Sequence, residues 1–244
     1  MCNEIITMNL KRFLKKCVKG LDVVFLKAKA SYSQTGEDII IEYLFDSLKI
    51  TRPTYLEIGT NQPKICNNTY GFYKKGCKGV CIEPDIEMVK VIQQQRPKDT
   101  ILNIGIGITD QLGADFYLFP GLMNGWSTFS KEEADFRKKD SGLDYRTLSV
   151  PLKNINTIMS DYFNPHPNFI SLDVEGLDLE ILQSADFEKF RPEVICVETI
   201  TFGYLNNTEK KIHAIAEYMH SKGYFAYADT HINTIFCRSD LFNF

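Results

Sequence analysis

The sequence predicts an α/β protein built on a doubly wound, mostly parallel sheet. Three segments carry that reading: TYLEIGTNQP (54–63), GVCIEP (79–84) and FISLDVEG (169–176). Each is an apolar run rich in β-branched residues that closes on a carboxylate or a glycine turn. A strand buried on both faces delivers polar groups to a ligand edge in this way. With 244 residues and 44% hydrophobic content, the chain is long enough for one such domain with a full core. No Pro-, Gly- or Ser-rich linker divides it after residue 30, so 31–244 reads as a single domain.

The elements follow in order. Thr35 with Asp38 three residues later reads as a capping box, and Ile40, Tyr43, Leu44 and Leu48 mark the helix behind it, which leads through Pro53 into the first strand. Next come a helix at 67–75, a strand at 79–83, a helix at 86–95 and a strand at 100–104. A β-rich excursion at 114–120 is followed by a stretch to 161 that reads as irregular. The alternation resumes with a strand at 168–172, a helix at 177–184, a strand at 193–197 and a helix at 209–221. Two strands, 224–228 and 234–238, joined by 229–233, read as a closing antiparallel hairpin. Strand and helix alternate as a doubly wound sheet requires.

Residues 1–30 differ from the rest. They carry seven Lys or Arg against Glu4 and Asp22, a net of +5 in a chain whose total is -3. Leu10, Phe13, Leu14, Cys17, Val18 and Leu21 recur at helical spacing opposite the charges, so a basic amphipathic leader helix is expected. Such a face suits peripheral docking on a membrane surface, or packing on the domain or on a second copy in a homodimer. The charges interrupt any apolar run long enough to span a bilayer or form a signal peptide. The overall acidity, pI about 5.9, argues against nucleic acid as a partner. Seven cysteines, odd in number and without a C-x-x-C pair, read as reduced buried thiols of a cytoplasmic protein rather than zinc ligands or disulfides.

The spacing of the first two strands is informative. Gly59 ends the first and lets backbone approach a ligand closely. Glu83 ends the next, about 20 residues on, the distance at which an acid reaches ribose hydroxyls. Thr60, Asn61, Gln62 and Pro63 stand where a G-x-G-x-x-G turn would need its further glycines, so a pyrophosphate-bearing dinucleotide is disfavoured. An adenosine ligand with a charged tail and no phosphate, S-adenosyl-L-methionine, fits a pocket that also holds Glu57.

These segments, with SQTGED (33–38), NNTYGFYKKGCKGVCIEP (67–84), NIGIG (103–107), STFS (127–130) and SLDVEGLDLEIL (171–182), resemble the FkbM-type family of S-adenosylmethionine-dependent methyltransferases in content and order. The stretch 111–168 matches loosely, and Glu57 stands where many relatives carry Asp. The resemblance implies a Rossmann-like class I methyltransferase fold with a seven-stranded sheet. It also implies a cofactor site built from Gln34, Glu57, Gly59, Asn61, Glu83, Pro84, Asn103, Gly105 and Asp173, and methylation of a hydroxyl on a carbohydrate or related small metabolite.

Proton removal from such a hydroxyl calls for a base at the strand ends. Asp173 and Glu175 follow one strand, and Glu198 closes its expected neighbour, so these are the catalytic and acceptor candidates. Asp173 with Glu198 also forms a candidate pair for a divalent cation such as Mg²⁺, although no histidine or third acid is fixed by spacing. Glu175 and Asp178 have a structural alternative as acids in the first turn of a helix. Ser33 and Glu37 accompany Gln34, with plain capping as their alternative. Trp126, Ser127 and Thr128 are candidates for an acceptor wall, and His166 and His231 are weaker candidates for a base. A catalytically idle cofactor-binding module and a nicotinamide oxidoreductase are the competing classes.

Overall fold

The computed structural model describes residues 29–203 and 209–242. The expected leader helix at 1–30 therefore falls almost wholly outside the described residues. Among those described, no helix is long and apolar enough to cross a membrane.

Ten strands and seven α-helices are described: α1 (Glu37–Ser47), β1 (Tyr55–Ile58), α2 (Tyr70–Lys74), β2 (Gly79–Ile82), α3 (Ile86–Gln95), β3 (Thr100–Leu102), β4 (Gly105–Gly107), β5 (Gln111–Leu118), α4 (Lys131–Ser141), β6 (Arg146–Asn154), α5 (Ile155–Tyr162), β7 (Phe169–Leu172), α6 (Asp178–Ser184), β8 (Val194–Glu198), α7 (His213–Ser221), β9 (Tyr224–Asp229) and β10 (Asn233–Arg238). The main sheet runs β3-β2-β1-β7-β8-β10-β9. All of its pairings are parallel except those of β10, which lies antiparallel between β8 and β9. This is the expected Rossmann-like, doubly wound arrangement with its closing antiparallel hairpin.

Side-chain alternation along β1 sets the two faces. Leu56 and Ile58 join the core under α5, α6 and α7, with Ile158, Leu182 and Met219. Tyr55 joins the core under α1, α2 and α3, with Leu44, Phe72 and Ile92. The strand order reverses between β1 and β7, so the carboxyl ends of these two strands open a crevice, the usual ligand position in an open α/β sheet.

Three sequence expectations require correction. The strand expected at 100–104 ends at Leu102 as β3 of the main sheet, and a separate short strand, β4, follows at Gly105–Gly107 in a second sheet of order β4-β6-β5. The stretch to 161 is regular, with a 3₁₀ turn at Gly121–Trp126, then α4, β6 and α5. The capping box does not form, because Gly36, at φ 97°, occupies the N-cap of α1 without a side-chain cap. Instead, Glu37 accepts from the Thr35 amide, while Asp38 accepts from the Tyr32 amide and the Ser33 hydroxyl.

Candidate active site

A cavity of about 600 Å³ opens at the carboxyl ends of β1, β2 and β7. Its floor is the backbone after β1. Gly59 sits at φ 81°, and a Cβ built there would lie 1.9 Å from the Asp173 carbonyl oxygen, so only glycine lets the ends of β1 and β7 approach this closely. One wall carries Asn61, Glu83 and Pro84, and Gln34 lines the cavity as well. The Glu83 carboxylate accepts the Asn61 amide at 2.7 Å and the Asp85 amide at 2.8 Å, which fixes it at the end of β2. Burial pushes its pKa up to about 7 against the pull of those two amides.

The opposite wall comes from the second sheet and its 3₁₀ turn: Phe116, Leu118, Trp126 and Ser127 line the cavity. Trp126 packs edge-to-face on Phe119 and Phe202. Thr128 is buried and does not line the cavity. Its hydroxyl donates to the Glu175 carbonyl at 2.9 Å, so it ties the wall to the β7 loop rather than meeting an acceptor.

Asp173 and Glu175 both line the cavity, and with Glu198 at the end of β8 they bring one carboxylate oxygen each within 4.8 Å of one another. The fold thus supplies, in Glu175, the third acid that spacing left open. Burial raises all three: Asp173 to about 6, Glu175 to about 8 and Glu198 well above the usual carboxylate range. Arg137 of α4 acts against each rise, with its guanidinium 3.0 Å from the Glu175 carboxylate. It also donates to the Trp126 carbonyl at 2.6 Å. Asp178 accepts from the Val174 and Gly176 amides, holding the β7 loop from below, and burial raises it to about 7.

Two acceptor atoms at the cavity are buried without a hydrogen-bond partner, Asn61 Oδ1 and Asp173 Oδ1. Such atoms cost about 1–3 kcal/mol each when left unpaired. A donor-bearing ligand in the crevice would satisfy them.

The model of the methyltransferase FkbM domain matches residues 57–226. The chain belongs to the FkbM methyltransferase family. No curated protein is significantly similar to it. Among solved structures, a Pyrococcus horikoshii protein described as an RNA methyltransferase is 13% identical with a TM-score of 0.40, covering 90% of this chain and 98% of that one. WbdD, solved with a kinase inhibitor, is 9% identical with a TM-score of 0.43, and its match covers 90% of this chain and 47% of WbdD.

Several expected site residues of this FkbM methyltransferase lie elsewhere. Glu57 does not line the cavity: its alternation partner is Tyr55, so it faces the α1–α3 side. There it accepts from the fully buried Arg96 at 2.8 Å. Arg96 also donates to Asp99 and Thr69, so the group ties β1 to the loop before α2 and the loop between α3 and β3. Asn103 sits behind the wall, donating to the carbonyls of Glu83 and Pro84, while Gly105 lines the cavity. Glu37 is buried at the base of α1. Burial opposes its ionisation, but donors from Thr230, Thr35 and Asn233 hold it down to about 2, so it links α1 to the β9–β10 turn. His166 and His231 do not line the cavity. Of the five described cysteines, four are buried, and Cys66 is exposed and lines the cavity.

Arg137 was missed by sequence reasoning. An arginine in KEEADFRKKDS reads as one more solvated charge, and only the fold turns it inward.

Proposed function

We propose that this chain transfers a methyl group from S-adenosyl-L-methionine to a hydroxyl of a carbohydrate or related small metabolite. The observation that carries the reading is the convergence of Gly59, Asn61, Glu83 and Asp173 on one cavity that contains two unpartnered acceptor atoms. These residues fit the cofactor: the Gly59 backbone leaves room for close approach, and Glu83 is placed to accept from ribose hydroxyls. Gln34 can meet the amino-acid end, and Asp173 is left to face the acceptor. Bound there, the cofactor supplies a methyl group already activated on a sulfonium.

The remaining demands fall on the protein. Holding an acceptor oxygen in line is worth roughly 7 to 11 kcal/mol, and the Trp126 wall is built for such orientation. Asp173, at about 6, is mostly ionised near pH 7 and suited to take the hydroxyl proton. Glu175, raised to about 8 by burial, is mostly protonated near pH 7 and lies 3.0 Å from the Arg137 guanidinium, which leaves Asp173 as the base. Arg137 already supplies positive charge to these acids.

Calorimetry with S-adenosylhomocysteine, followed by transfer of labelled methyl to a panel of glycans and small alcohols, tests this reading. Micromolar binding and turnover on a hydroxyl are expected. Preference for NAD would overturn it, and binding without transfer to any acceptor would favour an idle module.

A further inference from the structure

The acidic residues that line the cavity are Glu83, Asp85, Asp173 and Glu175; no lysine, arginine or histidine lines it among the described residues. Phosphate and carboxylate recognition ordinarily uses arginine, lysine or free amides at a helix N-terminus. Here carboxylates already accept from several backbone amides beside the cavity. Asp85 caps α3 by accepting the Glu87 amide, and Asp178 accepts the amides of Val174 and Gly176 ahead of α6. An anionic acceptor would therefore meet like charge in a half-enclosed space, without a counter-ion from these walls.

The rim has the opposite character. Ile65 is 68% exposed and Leu122 96% exposed, and both line the cavity together with the half-buried Trp126. They come from separate loops, the one after β1 and the 3₁₀ turn after β5. Apolar area exposed at the mouth of a ligand cavity is area whose burial by a bound apolar body would be favourable.

We infer that the acceptor is an uncharged amphiphile, a hydroxyl-bearing head joined to an apolar body that lies on Ile65, Leu122 and Trp126, and that phosphorylated and nucleotide-activated acceptors are rejected. This rests on the cavity being the cofactor and acceptor site proposed above. The hydroxyl enters toward Asp173, and the apolar body stays at the rim.

Trp126 is the single tryptophan of the chain, so its fluorescence reports on this wall directly. The full chain, saturated with S-adenosylhomocysteine, is titrated with octyl glucoside below its micelle concentration, and separately with glucose, glucose 6-phosphate and UDP-glucose. Octyl glucoside should give a saturable blue shift and bind at least about tenfold more tightly than glucose, as burial of an apolar chain requires; the two phosphorylated ligands should give none. Phosphorylated ligands binding as tightly as octyl glucoside, or octyl glucoside binding no better than glucose, would overturn the inference. The double variant Ile65→Ser/Leu122→Ser, at exposed positions, should weaken octyl glucoside about tenfold and leave S-adenosylhomocysteine affinity unchanged; undiminished octyl glucoside binding would also overturn it. Failure of the wild-type chain to bind S-adenosylhomocysteine is a separate result, and it removes the reading of the cavity itself.

Discussion

Arg137 and Glu175 meet at 3.0 Å, and that pairing divides the labour among the acids of the cavity. Asp173 lies beside the pair with one oxygen lacking any partner, whereas Glu175 is engaged. Sequence neighbours two residues apart are thereby placed in different electrostatic settings.

Replacing Arg137 tests that division through pH. Asp173 is raised by burial and pulled back by Arg137, and the neighbouring acids Glu175, Asp178 and Glu198 interact with it. Without the guanidinium, Asp173 must titrate above about 6. A base works only when ionised, so the acid limb of the kcat profile should move to higher pH in Arg137→Met and move back in Arg137→Lys. Stripping a buried pair of one partner costs about 3–5 kcal/mol, so thermal melting is recorded alongside. A limb that stays in place while stability falls would assign Arg137 to packing alone.

Asp173→Asn removes the proton acceptor and keeps the shape. Turnover should drop by a factor on the order of 100 or more with S-adenosylhomocysteine affinity nearly intact. Steady-state kinetics paired with calorimetry decides the matter, and wild-type turnover would return Asp173 to a structural part.

Glu83→Ala removes a charged acceptor from the end of β2. Losing a hydrogen bond to a charged group costs about 1.5 to 3 kcal/mol, so S-adenosylhomocysteine should bind roughly 10- to 100-fold more weakly. The wild-type protein should show a related pH effect. Because burial lifts Glu83 to about 7 and the ionised form accepts best from hydroxyls, affinity should fall as pH drops through 7. Calorimetry at pH 6 and pH 8 measures it, and a flat profile in both proteins would detach Glu83 from the ligand.

The parts of the fold that were legible are those in which local pattern and burial agree. β1, β2, β7 and β8 are continuous apolar runs, and each falls within about a residue of its expected place. The segment 121–162 was illegible for a physical reason. α4 is almost entirely charged and hides a buried arginine, while β6 carries Pro151, which argues against a strand wherever it appears. Glu57 illustrates a different failure. A carboxylate near a strand end resembles a ligand group, yet period-two alternation with Tyr55 already turns it to the other face. Its partner Arg96, 39 residues on, is a non-local pairing that no spacing rule reveals. Gly59, Glu83 and Asp173 were readable because strand ends in this topology meet at one edge whatever lies between them.

The pairing of β1 with β7 joins residues 114 apart, as the Thr54–Asn168 hydrogen bond shows. The order in which strands leave the ribosome is therefore not the order in which they sit side by side. A nascent chain holding β1, β2 and β3 has an apolar ribbon with the β1 edge open, and the chain from Leu102 to Leu172 must still be synthesised before β7 closes that edge. Until β7 arrives, the open edge exposes apolar, unpaired backbone to other chains, and its shielding bears on how much of the protein folds rather than aggregates.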